Sequence, residues 1–391
     1  MSISPNTISL AASRVLIVDD NEFNRKSLAV VVRRAGITEI AFAADGLEGL
    51  AMVERFRPDL VLLDVAMPNL DGLEMCRRLR ADPAHAELPV LFQTALDSDE
   101  EQVRCFAAGG SDFISKPIKP GECMARVRHQ LERRMLFAEL SSFRARVERE
   151  LKHARAMQLS LLPEPARVAA IGARHGLRID SHFETSSELG GDLWDVVEID
   201  ERRVGFLIVD FAGHGITAAI NTFRLHTLAE RVPAPRTDPA AWLTQLGLAL
   251  KEVLPVGQFA TAFYGVLDTA TDTLTFAAAG APHPILGMVE EGEPELLDSS
   301  GLLLGVSRAA RYENRTARLP RGGCLFLSSD ALIESRDARG DSIGQLGLTE
   351  LVRQGRRDDP AEPLRVVLDR FFTGMPRPLR DDLTAVWIAR V

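Results

Sequence analysis

Acidic side chains stand directly after two apolar runs in the N-terminal third of this 391-residue chain. Asp19 and Asp20 follow the first run, Asp64 follows another, and Lys116 follows a later one. Three carboxylates held close together cannot all stay ionised unless a cation offsets their charge. Such oxygen ligands suit Mg²⁺, and a carboxylate beside Mg²⁺ and a lysine is a reasonable nucleophile toward a phosphoryl group. These residues therefore predict a magnesium site at which an aspartyl phosphate forms.

Four further aspartates lie beside strand-like or glycine-rich segments of the C-terminal part: Asp192, Asp210, Asp330 and Asp381. Aspartates at strand ends can present their carboxylates into one pocket between sheets, and an adjacent glycine lets the backbone approach closely. Two divalent ions about 3.5–4 Å apart in such an all-oxygen site activate water and stabilise an in-line phosphoryl displacement. Taken singly, each aspartate is more often a turn residue. The set of four predicts metal-dependent phosphoester hydrolysis without a covalent intermediate.

The first set of residues is positioned by short aliphatic runs that alternate with helical stretches. Continuous apolar strands separated by amphipathic helices indicate a parallel sheet covered on both faces, whose functional residues lie at the carboxyl ends of the strands. The hydroxyl of Thr94, after the fourth run, is then available to a phosphoryl oxygen. The runs occupy residues 14–18, 39–42, 59–63, 89–92 and 112–115.

Residues 14–130 resemble the receiver domain of bacterial two-component response regulators. The resemblance is carried by Asp19-Asp20, the segment Asp64 to Gly72, Thr94-Ala95 and Lys116-Pro117. It implies Mg²⁺ as cofactor, a histidine kinase as phosphodonor, and Asp64 as phosphoacceptor. The other positions carry over as metal ligands Asp19, Asp20, Asp64 and the carbonyl of Ala66, and as switch residues Thr94, Phe113 and Lys116.

A single long helix is predicted over residues 120–162, because no proline or glycine follows Gly121 until Pro163. Its apolar positions repeat at heptad spacing, which indicates a coiled-coil seam of a few heptads that pairs two chains. Glu150 interrupts the repeat, and the alternative is one amphipathic helix packed on its own domain. The seam comprises Leu136, Leu140, Phe143, Val147, Ala154, Met157 and Leu161.

The remaining chain has a different pattern, with successive strand-like runs and inserted helices. This predicts an α+β domain in which antiparallel sheets pack together, with Trp242 and Trp387 in its core. We therefore divide the chain into residues 14–130, a linker helix at 131–165, and a domain at 166–391. The predicted strands are 203–209, 261–267, 273–277, 323–328 and 384–389, and the predicted helices are 216–231, 239–253, 346–355 and 361–373.

Residues 150–391 resemble the bacterial PP2C-type serine/threonine phosphatases of sporulation and stress response. The matching segments include Gly190-Gly-Asp192, Asp210 to Gly215, and Asp381-Asp-Leu-Thr384. The resemblance implies a PP2C-like β-sandwich flanked by helices and two Mn²⁺ or Mg²⁺ ions. It also implies a substrate phosphorylated on serine or threonine, an anti-sigma-factor antagonist of the STAS type, in partner-switching signalling. The implied ligands are Asp192, Asp210, the carbonyl of Phe211, Asp330 and Asp381, with Asp382 the less suitable of its pair.

Three departures from that family's pattern leave every carboxylate in place. Phe211-Ala212 replaces the common Val-Ser, Ala281-Pro-His283 replaces Gly-His-Pro, and Ala331 stands where glycine is usual. At Ala331 we expect strain if the backbone there requires positive φ. His214 has two interpretations, a general acid or a histidine in a glycine-flanked turn.

Together the two halves predict a switch in which phosphorylation of Asp64 changes phosphatase activity through the linker helix and the pairing of a homodimer. The sign of the coupling and the preference between Mn²⁺ and Mg²⁺ stay open. The alternative from another class is a binding adaptor whose phosphatase-like domain is catalytically inactive.

Composition excludes other classes of function. The net charge of −9 comes without a basic block, which argues against a nucleic-acid-binding surface or a polybasic membrane anchor. No apolar run approaches the ~18 residues of a membrane span, and no export signal is visible. The four scattered cysteines form no metal or disulfide pattern, so we expect a reducing cytoplasm.

Overall fold

The computed structural model describes residues 10–94, 99–213, 215–287, 293–336, 340–375 and 377–391. The chain forms two compact units, one ending at Val147 and the other beginning at Glu148. Among the described helices, none combines the length and apolar character needed to cross a membrane.

The N-terminal unit is built on a parallel sheet with the strand order β2-β1-β3-β4-β5. A short 3-10 helix at Leu10–Ala12 precedes it. The elements are β1 (Arg14–Val18), α1 (Glu22–Arg34), β2 (Glu39–Ala43), α2 (Gly46–Phe56), β3 (Leu60–Asp64), α3 (Gly72–Ala81), β4 (Val90–Thr94), α4 (Asp99–Ala107), β5 (Asp112–Ser115) and α5 (Pro120–Leu159).

Both faces of this sheet are covered. Alternate residues of β1 illustrate the arrangement, since Leu16 packs in the core on one face and Ile17 in the core on the other. The strands β3 and β4 are buried along their whole length, which explains their continuous apolar sequence. The predicted doubly wound receiver fold is confirmed.

Helix α5 continues for 40 residues and passes from the first unit into the second. Its last residue is Leu159, three residues before the predicted end, and a turn follows before Pro163. Leu136, Leu140 and Phe143 are exposed on its surface, whereas Leu161, just past its end, packs against the core of the second unit.

The C-terminal unit contains two five-stranded antiparallel sheets, with the orders β13-β10-β9-β8-β7 and β12-β11-β14-β15-β6. Its elements are α6 (Pro165–His175), β6 (Leu177–Glu184), β7 (Asp192–Glu198), β8 (Arg203–Phe211), α7 (Ile216–Ala229), α8 (Pro239–Val253), β9 (Ala260–Asp268), β10 (Thr273–Ala279), β11 (Ile285–Gly287), β12 (Glu295–Leu296), β13 (Arg315–Arg318), β14 (Cys324–Ser328), α9 (Ala331–Glu334), α10 (Gly344–Asp358), α11 (Pro363–Gly374) and β15 (Leu383–Arg390).

The two sheets pack face to face, and helices cover their outer faces. Phe206 and Phe263 of one sheet share a core with Leu325 and Val386 of the other. Helices α7 and α8 pack on the first sheet through residues such as Trp242, and α9, α10 and α11 pack on the second. The predicted sandwich flanked by helices is confirmed.

Trp242 and Trp387 lie in the core, as predicted, with 2% and 1% of their surface exposed. The strain expected at Ala331 is absent. Ala331 is the first residue of α9, and the described non-glycine residues with positive φ are Arg57, Asn69 and Asp272. A helical start suits alanine, so no glycine is needed at that position.

Candidate active sites

The carboxylates of Asp19, Asp20 and Asp64 meet at the carboxyl edge of the parallel sheet. One oxygen from each lies within 4.8 Å of the others. Asp19 is fully buried, and its Oδ1 accepts hydrogen bonds from the Asn21 amide at 2.8 Å and the Asn24 side chain at 3.2 Å. Asp20 is exposed, so a cation can reach this cluster from solvent.

Lys116 brings the positive charge expected beside these carboxylates. Its Nζ lies 2.8 Å from Asp64 Oδ2 and 3.3 Å from Asp19 Oδ2. Burial raises the pKa of Asp64, and the lysine acts in the opposite direction. The arrangement leaves a buried carboxylate held between a lysine and two further acidic groups, as a phosphoacceptor beside Mg²⁺ requires.

The predicted switch residues occupy the neighbouring strands. The buried Thr94 hydroxyl donates to Glu101 Oε2 at 3.2 Å, on α4. Phe113 is half-buried, with its ring edge-on to Phe106 and under the guanidinium of Arg126 at 5.3 Å. Ala66 lies in the loop after β3, two residues beyond Asp64.

In the second unit, Asp192 and Asp210 are direct neighbours across the pair β7 and β8. Asp192 is buried, and its Oδ2 accepts the Thr384 hydroxyl at 2.6 Å. Its Oδ1 is buried with no hydrogen-bond partner. Burial raises the pKa of both carboxyls, and for Asp210 the charge of Asp192 adds to the effect. Like charges directly opposite on neighbouring strands are destabilising unless a counter-ion binds.

Asp330 and Asp381 belong to the same group of charges. Asp330 follows β14 and Asp381 precedes β15, and these strands pair in the second sheet. Burial, together with the negative charge of Asp381, raises the pKa of Asp330 to about 6. The charges of Asp330 and Asp381 also raise the pKa of Asp210. The sandwich therefore brings all four predicted aspartates together.

The glycines before Asp192 are required by close packing. A Cβ on Gly191 would lie 2.9 Å from the Phe211 carbonyl oxygen and 3.1 Å from that of Gly213. A Cβ on Gly190 would lie 2.8 Å from Asp382 Oδ2. Any side chain at either position would push this loop away from the aspartates.

Asp382 has a different environment from Asp381. Its Oδ2 accepts the Gly191 amide at 2.6 Å, and its Oδ1 accepts the Ser186 amide at 2.7 Å and the Ser186 hydroxyl at 3.0 Å. Both oxygens of this buried carboxylate thus have protein donors. The contacts favour Asp381 as the member of the pair that faces a cation.

Comparisons with known proteins agree with the folds of both units. The family model "Response regulator receiver domain" matches residues 15–128, and "Stage II sporulation protein E (SpoIIE)" matches residues 200–391. This chain joins a receiver domain to a SpoIIE-type PP2C phosphatase domain.

Individual relatives cover parts of the chain. Response regulator PleD of Caulobacter vibrioides is 34% identical over 196 residues, which are 49% of this chain and 41% of PleD. Response regulator MprA of Mycobacterium leprae is 45% identical over 120 residues, 31% of this chain and 51% of MprA. The chain thus spans about half the length of these relatives or less. The SiaA-PP2C domain of Pseudomonas aeruginosa superimposes with a TM-score of 0.57 and 21% identity, covering 64% of this chain and 99% of that one. This last likeness concerns the fold.

The helix leading into the phosphatase domain contacts the loop that carries Asp192. Gln158 is buried near the end of α5. Its Nε2 donates to the Gly190 carbonyl at 2.6 Å, and its Oε1 accepts the Gly190 amide at 3.1 Å. Sequence reasoning missed this residue, although it lies in the segment that carried the family resemblance.

The residues of the phosphatase domain fit divalent cations. Buried Oδ1 atoms of Asp192 and Asp330 have no hydrogen-bond partner, and burial, followed by mutual repulsion, raises the pKa values of the Asp210 and Asp330 carboxyls. The four carboxylates do not supply three oxygens within 4.8 Å, as the receiver cluster does. The unpartnered buried oxygens and the repulsion between the carboxyls are the observations that fit bound cations.

Two other predicted positions need separate mention. Phe211, whose carbonyl is a predicted ligand, is the last residue of β8 and packs close to Gly191. His214 lies outside the described residues.

Proposed function

We propose that this protein is a response regulator in which phosphorylation of Asp64 controls a metal-dependent serine/threonine phosphatase. The four aspartates of the PP2C domain carry the proposal. They form a group of like charges in which Asp192 is buried and the other three are half-buried, and two of their buried oxygens have no hydrogen-bond partner, an arrangement that a divalent cation stabilises.

Asp192, Asp210, Asp330, Asp381 and the Phe211 carbonyl would hold two Mn²⁺ or Mg²⁺ ions. The metals would supply an activated water and charge stabilisation for in-line displacement at phosphorus. The chain's own residues orient this site. Thr384 fixes Asp192 through a 2.6 Å hydrogen bond, and Asp382 holds the Gly191 amide. This chemistry requires no covalent attachment to the enzyme.

In the receiver domain, Asp19, Asp20, Asp64 and the Ala66 carbonyl would hold Mg²⁺. A histidine kinase would transfer its phosphoryl group to Asp64, with Lys116 balancing the added charge. Thr94 now donates to Glu101, and a phosphoryl oxygen on Asp64 would compete for that hydroxyl. The movement of Thr94 and Phe113 would then displace α5. The hydrogen bonds between Gln158 and Gly190 would transmit that displacement to the loop before Asp192.

A homodimer through the linker at residues 131–165 is part of this proposal. Leu136, Leu140 and Phe143 lie on one stripe of α5 and are 55%, 62% and 54% exposed. Apolar residues at this heptad spacing pair with a second helix of the same kind. Leu161 leaves the stripe and packs on the phosphatase core, so pairing extends no further than Met157.

The proposed substrate is a phosphorylated STAS-type anti-sigma-factor antagonist, and the support for it is the family resemblance. The metal-site residues recognise a phosphoryl group and contain no feature that selects one protein. The identity of the substrate protein therefore has to be tested separately from the hydrolysis reaction.

Hydrolysis of p-nitrophenyl phosphate by the full chain with Mn²⁺ tests the reaction, with and without beryllofluoride as a phosphoryl mimic. We expect turnover that is lost in Asp210→Asn and changes with the mimic. The Asp64→Ala variant should lose the response to the mimic and keep basal turnover. No turnover in any state, with no Mn²⁺ binding to the phosphatase domain, would instead favour the phosphorylation-controlled adaptor.

A further inference from the structure

A cavity of about 340 Å³ is lined in part by one proposed metal ligand, Asp381, and by Ala331, the residue that follows another proposed ligand, Asp330. One side of the cavity is formed by α9 and the residues that follow it. The other side is formed by the segment that leads into β15. Its lining includes Ala331, Glu334, Arg336, Met375, Leu379 and Arg380.

Two arginines in this lining form no ion pair with an acidic residue that the structure describes. Among the described residues, Arg380 is exposed and forms neither a hydrogen bond nor an ion pair. Arg336 donates to the Gly340 carbonyl at 2.8 Å and forms no ion pair within the described part of the chain. By contrast, Arg377 in the same segment binds Glu184 at 2.7 Å. Arg336 and Arg380 thus present uncompensated positive charge at the rim of the site.

The lining also contains two acidic residues, Glu334 and the proposed metal ligand Asp381. The charges of Glu334 and Asp381 both act on Asp330. Bound cations would offset this negative side, leaving the two arginines to face the rest of the cavity. Ala331, Met375 and Leu379 give the lining an apolar part as well. Such a surface fits a chain segment with both apolar and acidic side chains.

We propose that this cavity binds the residues flanking the phosphoserine or phosphothreonine of a protein substrate, and that Arg336 and Arg380 select acidic side chains there. The inference rests on the proposed phosphatase function and adds a substrate preference to it. The phosphoryl group itself would go to the metals, which leaves the guanidinium groups for carboxylates beside it. Because these arginines are exposed, their contribution is modest and sensitive to salt.

Two synthetic phosphoserine peptides test the inference. One carries glutamate at the two positions on each side of the phosphoserine, and the other carries alanine there. With the full chain and Mn²⁺, we expect kcat/KM for the glutamate peptide to exceed that for the alanine peptide about fivefold at low salt, mainly through KM. In Arg336→Ala/Arg380→Ala the ratio should fall to about 1. In Arg318→Ala, which removes the same charge from edge strand β13, it should keep the wild-type value.

The ratio distinguishes failure of this inference from failure of the phosphatase assignment. A general loss of activity affects both peptides equally and leaves the ratio unchanged. Equal rates for the two peptides with the wild-type chain, or a preference that survives in the double variant, would overturn the acidic-substrate proposal alone. Absence of turnover on both peptides and on p-nitrophenyl phosphate would overturn the proposed function, and this inference with it. Loss of the preference at 0.5 M salt would support the electrostatic origin.

Discussion

Gln158 binds both polar groups of the Gly190 backbone, accepting from its amide at 3.1 Å and donating to its carbonyl at 2.6 Å. Gly190 stands two residues before Asp192, and Gln158 belongs to the helix that begins in the receiver domain. A rotation or shift of that helix therefore acts directly on the loop that positions a proposed metal ligand. This contact gives the helix a direct route of influence on the proposed phosphatase site.

Replacing Gln158 by alanine should weaken the phosphatase more than it destabilises the fold. The change leaves two buried backbone groups without partners, a loss of about 1–3 kcal/mol. If the lost hydrogen bonds destabilise the active conformation of the loop, kcat/KM for p-nitrophenyl phosphate should decrease about tenfold. The Mn²⁺ concentration that gives half-maximal activity should increase. Arg155→Ala, on the exposed side of the same helix, is the matched control. Wild-type Mn²⁺ dependence in Gln158→Ala would contradict a positioning role.

Neutralising the two adjacent aspartates should have different consequences. Asp382→Ala removes the acceptor for Gly191 and Ser186 and should lower the free energy of unfolding by about 2–4 kcal/mol. Asp381→Asn should instead lower Mn²⁺ affinity and keep or raise the stability of the metal-free protein, because it removes a charge that repels Asp210 and Asp330. Thermal unfolding and calorimetric Mn²⁺ titration separate the two effects. If Asp382→Ala instead lowered Mn²⁺ affinity and Asp381→Asn lowered the free energy of unfolding, Asp382 would be the metal ligand.

The stability of the metal-free phosphatase domain should decrease as pH rises. The pKa of Asp330 is raised to about 6 in the folded chain from an ordinary value of 3.8, so the folded state holds the proton more tightly than the unfolded state. The contribution of Asp330 to the free energy of unfolding is fully present below pH 3.8, and it is lost as the pH rises through about 6. We expect the difference in Tm between Asp330→Asn and wild type, measured in EDTA, to increase from pH 5 to pH 7. Adding Mn²⁺ at pH 7 should reverse the sign of that difference.

Phosphorylation of the receiver should depend on Asp64 and on the lysine beside it. With acetyl phosphate and Mg²⁺, Asp64→Asn should give no phosphorylated species on a phosphate-affinity gel. Lys116→Ala removes the cation that lies 2.8 Å from Asp64, so a slower reaction is expected although the acceptor is present. Lys26→Ala, which alters an exposed surface ion pair on α1, serves as the control. Phosphorylation of Asp64→Asn at another residue would disprove the assignment.

Dimer formation should depend on the exposed stripe of α5. Leu140→Asp places a charge in the middle of the proposed seam, and we expect it to convert a dimer to a monomer in light scattering coupled to size exclusion. Lys152→Asp changes the charge at an exposed position of the same helix away from the seam and should leave the mass unchanged. A wild-type protein that is monomeric at tens of micromolar would argue for a lone helix.

Among the described strands of the C-terminal domain, five of the six inner strands were predicted from the sequence, the exception being the short β11, and the four edge strands were not. The five predicted strands of the C-terminal domain correspond to β8, β9, β10, β14 and β15, all of which have neighbours on both sides. The strands that were missed include β6, β7, β12 and β13, which form the four edges of the two sheets. Edge strands carry more polar residues because they are partly solvated, and β6 has the sequence LRIDSHFE. Their apolar pattern was too weak to identify.

The candidate ligands were identifiable from the amino-acid sequence, because carboxylates that follow strand-like runs or glycines can bind cations once the fold brings them together. Only the tertiary structure decided how the carboxylates are held. Thr384 binds Asp192 across 192 positions of the chain, and Gln158 binds Gly190 across 32. The distinction between Asp381 and Asp382 likewise depends on which of two adjacent side chains meets the Gly191 amide. Such contacts join segments that are far apart in the chain, and no local pattern of residue types encodes them.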